Sequence, residues 1–525
     1  MTDLTRRTLL RGAAAGIASA LGPAALLGCT GSDGPAASGA RTPRPSGAAT
    51  PTGPTTRARP TVADWRALGS GLEGDVVLLD DAGYDAARRL YQPRFDVRRP
   101  AAVVRARSTA DVREAVMFGR RHGVAVRPMA GGHSYVGAST ADGAMVISVR
   151  PMSRVEYDPA SQTVLLGAGG LLFDVHRTLE AHGRTVPTGS CPSVGAAGLT
   201  FGGGLGAEMR AYGLTCDNLR AATVVTADGE VREVSAERDA DLWWALRGGG
   251  GGNLGVVTSM RMRTHPAGEV GFSFLTWRDA DAEAMVLGWQ GRVPAQPRSA
   301  WANLHLDASP DGSIRPIVVG LALDGDAERE ADRLVATVGR EPASRDVFTR
   351  SHHEATKLLA GCSELTDDQC RLQPDGALNR ADTASGSDVL GGPMSGRTVR
   401  SLLRVIRARA ESGGTAAAIL DPLGGAVADV GVGGTAFAWR RALATVQWYV
   451  ALSPSAPTSE VRDTYRWIAE GHRALRAASV GAYVNYLEPG RAVGSYYGPN
   501  YARLRRVKRR YDPDGMFRSG APIAA

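Results

Sequence analysis

Two glycine-rich segments, Ala130-Gly131-Gly132-His133-Ser134-Tyr135 and Gly189-Ser190-Cys191-Pro192-Ser193-Val194-Gly195, each set one reactive side chain in a backbone with little Cβ bulk. Glycine lets successive N–H groups approach phosphate oxygens closely. Both segments therefore read as loops lying against a phosphate-bearing ligand, with an imidazole and a thiol held at fixed places beside it.

The flanking elements read clearly from Pro100 onward. Ala102-Val103-Val104 is a short apolar strand, and Ser108 with Asp111 has the pattern of a capping box opening a helix. Val112, Ala115, Val116 and Gly119 share one face of that helix, and Gly123 ends it. Val124-Ala125-Val126-Arg127 is the next strand and leads into the His133 loop. Leu171 to His182 reads as a second helix stopped by Gly183, after which Val186 leads into the Cys191 loop. Asp228-Gly229 between two β-rich runs, residues 222–226 and 231–234, marks a hairpin. This alternation predicts an α+β cofactor domain.

One motif points elsewhere. Gly250, Gly252 and Gly255 satisfy the dinucleotide fingerprint, as do Gly202, Gly204 and Ala207. That fingerprint works only where a strand runs into a helix N-terminus. Here Asp241-Leu242-Trp243-Trp244-Ala245-Leu246-Arg247 before the first match is helical and Gly255-Val256-Val257-Thr258-Ser259-Met260 after it is a strand. The reversed order excludes a nicotinamide-type Rossmann unit, and both glycine runs read as loops near another ligand.

After Pro266 the texture changes. Strand-like runs over 272–277, 301–307, 314–323 and 444–452 alternate with helical runs over 281–293, 327–340 and 459–478, and Ser309-Pro310-Asp311-Gly312 turns two strands into a hairpin. The pattern predicts a second domain, an antiparallel sheet with helices on one face. The glycine-rich stretch from 351 to 434 yields no assignment. Trp277, Trp301, Trp439, Trp448 and Tyr449 read chiefly as core, with sugar-stacking faces the alternative.

Residues 1–28 combine Arg6, Arg7 and Arg11 with an apolar stretch over 12–28, too short and glycine-rich for a membrane span. They read as an export signal of twin-arginine type. Leu26-Leu27-Gly28-Cys29 is similar to a lipobox with Cys29 as the lipidated residue, and residues 29–60 form a tether too poor in apolar bulk to fold. The expected location is outside the cytoplasm, as a surface lipoprotein or a secreted protein. Residues 1–60 hold seven arginines against Asp3 and Asp33, +5 of the formal +8, leaving +3 for the other residues. Nucleic acid is excluded as a partner on that balance. The basic run Arg503, Arg505, Arg506, Lys508, Arg509 and Arg510 reads as a solvated helix face. Cys216 reads as a small buried residue. For Cys362 and Cys370, eight apart in a polar loop, a disulfide and two free thiols both stay open.

Taken in order, these pieces resemble the berberine-bridge-enzyme-like branch of the vanillyl-alcohol-oxidase flavoproteins. The resemblance runs through residues 131–135, 189–195, 202–206 and 241–255, then Tyr483-Val484-Asn485-Tyr486, Tyr496-Tyr497-Gly498-Pro499-Asn500-Tyr501-Ala502-Arg503-Leu504 and Lys508-Arg509-Arg510-Tyr511-Asp512-Pro513. It implies an α+β fold with a PCMH-type FAD-binding domain over 61–267, a substrate domain of antiparallel sheet covered by helices over 268–480, and a C-terminal segment over 481–525 that returns to the first domain.

The resemblance also assigns roles. His133 carries the flavin 8α-methyl group and Cys191 bonds ring carbon 6, which implies a raised flavin potential and an open substrate pocket. Further cofactor contacts fall on Arg127, Ala130, Gly131, Gly132, Ser134, Tyr135, Val194, Gly195, Gly198, Gly204, Gly206, Gly255, Val256, Asn485 and Asn500, and no metal is implied. Tyr486 aligns with the family's base. A phenol with a reference pKa of about 10 needs a positive or hydrogen-bonding neighbour to act near neutrality, and the sequence does not name that neighbour. Gln447 falls where some relatives carry a glutamate base, and its amide is restricted to orienting substrate or tyrosine. Val194 aligns with the residue gating oxygen, where valine accompanies oxidases. Two departures stand out: Met129-Ala130 precedes Gly131 where many relatives have another glycine, and the Tyr91-Gln92-Pro93-Arg94-Phe95 segment lacks a Trp-Asn pair.

The function so implied is an FAD-linked oxidase taking hydride from a hydroxyl-bearing carbon of a carbohydrate or other natural product, with oxygen as acceptor. A dehydrogenase using another acceptor and a surface-anchored flavin protein without turnover are the alternatives.

Overall fold

The computed structural model describes residues 59–525 apart from Pro454 and Ser519. The expected export signal and lipobox, and the tether up to residue 58, lie outside the described residues.

Four strands form the layer that carries the His133 loop: β1 (Asp75–Leu78), β2 (Ala102–Arg105), β3 (Val126–Met129) and β4 (Met145–Ser148), ordered β1-β2-β4-β3. β4 pairs parallel with both β2 and β3, and all four of its residues are buried, as expected of a parallel strand covered on both faces. Helix α1 (Thr109–His122) makes the crossover from β2 to β3. Ser108 Oγ accepts from Asp111 N at 3.2 Å, and Gly123 closes the helix at φ 67°. The second half of the capping box does not form. The Asp111 carboxylate accepts instead from Glu73 N, Gly74 N and Arg107 N at 2.9, 2.9 and 2.8 Å, which ties the segment entering β1 to the start of α1.

Five antiparallel strands make a second layer: β5 (Val155–Asp158), β6 (Thr163–Gly167), β7 (Leu219–Val225), β8 (Val231–Val234) and β9 (Val256–Arg263), ordered β5-β6-β9-β7-β8. At the β7/β8 turn Asp228 Oδ1 accepts from Thr226 Oγ1 at 2.6 Å and Glu230 N at 3.1 Å. Helix α2 (Leu172–Glu180) precedes the Cys191 loop and α3 (Ala196–Phe201) follows it. Helix α4 (Ala240–Leu246) precedes the second glycine run and β9 follows, so the helix-to-strand order is real.

Eight antiparallel strands form the third layer: β10 (Val270–Thr276), β11 (Ala300–Ala308), β12 (Ile314–Ala322), β13 (Ser344–Arg350), β14 (Asp382–Leu390), β15 (Ala416–Pro422), β16 (Ala444–Leu452) and β17 (Ser479–Gly481), ordered β13-β10-β12-β11-β15-β16-β14-β17. The helices between β10 and β17 are α5 (Ala282–Arg292), α6 (Ala327–Val338), α7 (His352–Leu359), α8 (Gly396–Glu411) and α9 (Thr458–Leu475). Of these, α5, α6, α8 and α9 share a core with one face of the sheet, where Trp289, Leu334, Ile406 and Ile468 meet Leu304, Leu420 and Val446. Each fully buried leucine or isoleucine there contributes about 1.5–3 kcal/mol. Alternate residues of β11, namely Trp301, Asn303, His305 and Asp307, face the other way into a cavity.

The unassigned stretch thus holds α7, β14, α8 and β15, together with a disulfide between Cys362 and Cys370. Beyond residue 481 the chain returns to the first two layers, where Tyr497 and residues Leu504, Val507 and Tyr511 of α10 (Tyr501–Tyr511) enter the core. Lys508 corrects the reading of α10 as a solvated basic face: it is 1% exposed and donates to Asn253 O, Phe517 O and the Asp512 carboxylate. Among the described residues no helix is long and apolar enough to cross a membrane.

Candidate active site

The two reactive loops meet backbone to backbone. A Cβ on Gly131 would lie 2.3 Å from Gly195 N, and one on Gly195 would lie 2.5 Å from Gly131 N, so only glycine permits the crossing. This contact sets His133 and Cys191 on one wall of a cavity of about 1120 Å³. His133 Nε2 lies 3.0 Å from Ser193 Oγ, a residue of the other loop, and Tyr91 stacks on the imidazole with ring centres 3.9 Å apart. Burial, reinforced by Arg150, pushes the His133 pKa down to about 3, so the ring is neutral and keeps a lone pair. Cys191 is an exposed free thiol on the cavity lining, and desolvation by the surrounding protein raises its pKa.

The third glycine run completes the wall. Gly250 and Gly252 adopt φ of 84° and 73°, and a Cβ on Gly251 would come within 3.6 Å of Gly198 Cα. Glycine backbone lines this part of the cavity. Such a cradle suits a pyrophosphate, and the adjoining His133 and Cys191 suit a ring within bonding reach of both, so these residues fit FAD.

The eight-stranded sheet lines the same cavity. Gln447 on β16 donates from Nε2 to Tyr135 OH at 3.1 Å and to Ser385 Oγ at 3.3 Å. Tyr135 and Tyr486 meet edge to face with ring centres 6.0 Å apart, and Tyr483 meets Tyr486 likewise at 5.0 Å. The Tyr483 hydroxyl accepts from Gly204 N, Leu205 N and Asn485 Nδ2 at 2.9, 3.3 and 2.9 Å. Asn485 Nδ2 also donates to Leu199 O at 3.0 Å, and a Cβ on Gly202 would collide with its side-chain oxygen. The segment bearing Tyr486 is thereby pinned to the 202–206 glycine run.

Burial, followed by the charges of Asp421 and of neighbouring phenols, raises the Tyr486 pKa well above the ordinary value, so the phenol is neutral. The acidic neighbour is itself poised: burial, partly offset by Asn303, pushes Asp421 up to about 7. Asn303 also reaches His305 Nε2 at 3.0 Å, leaving a polar row along β11.

The structure brings most of the expected residues to the cavity: Ala130, Gly131, Gly132, His133, Ser134, Tyr135, Cys191, Val194, Gly195, Gly198, Gly206, Gly255, Val256, Gln447, Asn485 and Tyr486. Three expected residues are not among those lining the cavity: Arg127 lies on β3 next to Pro128, which does line it, Gly204 spends its N–H on Tyr483, and Asn500 donates to Val432 O and Thr435 O at 2.7 and 3.0 Å, bracing the entry to α10. Trp277 and Trp448 are core, whereas Trp301 and Tyr449 line the cavity. Tyr91, Ser193, Tyr483 and Asp421 had no role assigned beforehand. A carboxylate ending the apolar run Ala416-Ala417-Ala418-Ile419-Leu420 was the one available signal for Asp421.

Comparisons with known proteins agree with this geometry. Residues 100–235 match the family model described as an FAD binding domain, and residues 482–524 match that described as berberine and berberine like. The uncharacterised FAD-linked oxidoreductase YgaK of Bacillus subtilis is 30% identical over 453 residues, covering 85% of this chain and 96% of its own. Among solved structures, BBE-like 1 of Physcomitrella patens has a TM-score of 0.79 at 24% identity, covering 87% of this chain and 98% of its own. A chitooligosaccharide oxidase has a TM-score of 0.78 at 24% identity, covering 87% and 99%. The chain belongs to the berberine-like family of FAD-linked oxidoreductases.

Proposed function

We propose that this enzyme holds FAD by bonds to both His133 and Cys191 and oxidises a hydroxyl-bearing carbon of a carbohydrate or related natural product, with dioxygen as the final acceptor. The crossing of Gly131 and Gly195 carries this reading, because it puts an imidazole and a thiol from separate loops on one wall. With Nε2 engaged by Ser193, Nδ1 is the His133 nitrogen available for a bond. When bound, the flavin supplies the hydride acceptor. Tyr486 orients the substrate hydroxyl, and Asp421, poised near neutrality, takes up the proton released. Gln447 cannot accept a proton; its amide fixes Tyr135 beside Tyr486. The chitooligosaccharide oxidase neighbour supports a sugar-like substrate, and Val194 at the wall supports oxygen as acceptor. The Arg6-Arg7 and Cys29 patterns, with the Cys362–Cys370 disulfide, support an exported, lipid-tethered enzyme.

Denaturing precipitation tests the linkage. Yellow colour stays with the wild-type polypeptide, and Cys191→Ala or His133→Ala each keeps it through the remaining bond. The double variant releases all pigment to the supernatant. A colourless wild-type precipitate overturns the assignment. Stopped-flow mixing of reduced enzyme with air separates an oxidase from a dehydrogenase by the rate at which the oxidised flavin spectrum returns.

A further inference from the structure

On the side of the eight-stranded sheet away from the cavity, four charged side chains meet under the segment that carries Tyr486. Asp388 on β14 is 2% exposed, His472 comes from α9, and Glu488 and Arg491 follow Tyr486 in the chain. His472 Nδ1 lies 2.6 Å from Asp388 Oδ2 and Nε2 lies 2.7 Å from Glu488 Oε2. Carboxylates only accept, so both ring nitrogens carry protons and the ring is an imidazolium. Arg491 Nη1 donates to Glu488 Oε1 at 2.8 Å and sits 3.1 and 3.0 Å from the two ring nitrogens, which places it against the ring face. The Asp388 carboxylate also receives Trp448 Nε1 at 2.9 Å, Ser479 Oγ at 2.7 Å and Arg491 Nη2 at 3.4 Å.

We propose that His472 is a positioning residue: it fastens the Tyr486 segment to the sheet by joining Asp388, on β14, to Glu488, two residues beyond the phenol. The proposal rests on the assignment of Tyr486 to the reacting hydroxyl. Three features make the clamp specific. Gly386 on β14 leaves room for Glu488, since a Cβ there would lie 2.6 Å from Glu488 Oε2. Glu488 N donates to Tyr496 OH at 3.2 Å, which fixes the segment just past Tyr486. Trp448, which holds Asp388, is flanked on β16 by Gln447 and Tyr449 of the cavity wall. The clamp therefore links α9, two strands and the Tyr486 segment through one ring.

Only the protonated ring can serve both carboxylates, so the clamp has a defined pH range. Burial opposes the charge on His472, but the hydrogen bonds and charges of Asp388 and Glu488 outweigh it and hold the pKa up to about 9. Burial likewise opposes charge on Asp388, yet His472, Arg491 and Trp448 hold it down to about 2. Around the quartet stand Tyr496, which feels both Glu488 and Arg491, and Tyr465, which feels Arg94 and Glu488. A raised histidine pKa stabilises fully below the unfolded value of about 6.5, and that contribution is lost as pH rises through about 9.

Amide hydrogen exchange of the holoenzyme, corrected for the intrinsic pH dependence of exchange, reads the clamp without turnover. In the wild type, protection of the peptide spanning 483–491 falls about tenfold between pH 7.5 and 9.5, as expected when a group of this pKa releases its proton. In His472→Gln that protection is low at both pH values. In turnover, kcat of the wild type declines through about pH 9, whereas His472→Gln has a lowered kcat, little change in KM and no such alkaline limb. Glu488→Gln, which keeps the shape but removes one charge, moves the limb down by about one pH unit. Identical protection and an identical alkaline limb in wild type and both variants overturn the proposal. Should Tyr486→Phe retain full turnover, the assignment of Tyr486 fails instead, and the exchange result still decides whether the clamp exists.

Discussion

Replacing Tyr486 with phenylalanine slows substrate-dependent bleaching of the flavin under anaerobic conditions by about 10²-fold, the scale of losing a group that orients the reacting hydroxyl. Phenylalanine keeps the edge contacts with Tyr135 and Tyr483. The backbone bond from Tyr486 N to Tyr483 O at 3.0 Å is kept as well, so folding and flavin content stay at wild-type levels. Bleaching at the wild-type rate would remove Tyr486 from the chemistry. The acid side of the pH profile tests its partner. Asp421 is raised by burial to about 7 and carries charge only above that value, so kcat falls as pH drops through about 7. In Asp421→Asn the rate is low throughout and this limb disappears. A wild-type acid limb in that variant assigns the proton to another group.

That carboxylate also shows where a sequence stops being readable. The first two layers were legible because local rules and tertiary structure agree there: Ser108 caps α1, Gly123 closes it, and Asp228-Gly229 turns a hairpin between alternating strands. β16 spans Ala444–Leu452, the run expected from its apolar and β-branched residues. β14 is the opposite case. Its sequence, Asp-Thr-Ala-Ser-Gly-Ser-Asp-Val-Leu, is small and polar, yet all nine residues are buried between β16, α9 and the cavity. Gly386 and Asp388 are there for Glu488 and His472, partners 84 or more residues away in the chain, and no local propensity encodes that. Arg127 and Gly204 each sit beside a residue that lines the cavity, whereas Asn500 does not, and Gly204 and Asn500 bond to distant partners, Tyr483 and Val432. Reactive residues in glycine loops were visible through their chemistry. Tyr91 and Ser193, which hold the imidazole, were not, because a tyrosine or serine acquires that role only through the fold.

Lys508→Met lowers stability by about 3–5 kcal/mol, the usual cost of removing one partner from a buried ion pair. At about 2–4 °C per kcal/mol for sizeable domains, Tm falls by about 6–20 °C. Lys508 joins three pieces of chain: its ammonium donates to Asn253 O at 2.6 Å, to Asp512 Oδ2 at 2.5 Å and to Phe517 O at 2.8 Å. Methionine fills much of the volume and supplies none of these bonds. Asp512, with 0% exposure, keeps Met516 N and Phe517 N at 2.8 and 2.9 Å but loses its counter-charge. Because Asn253 follows Gly252 directly, the damage reaches the glycine cradle, and the variant also recovers with less flavin per polypeptide. Arg509→Ala, on the exposed face of the same helix, is the internal control and stays within about 0.5 kcal/mol of wild type. Thermal unfolding followed by far-UV circular dichroism compares the two. Equal Tm values for Lys508→Met and Arg509→Ala would show that the amine is solvated after all and that α10 is held by its apolar face alone.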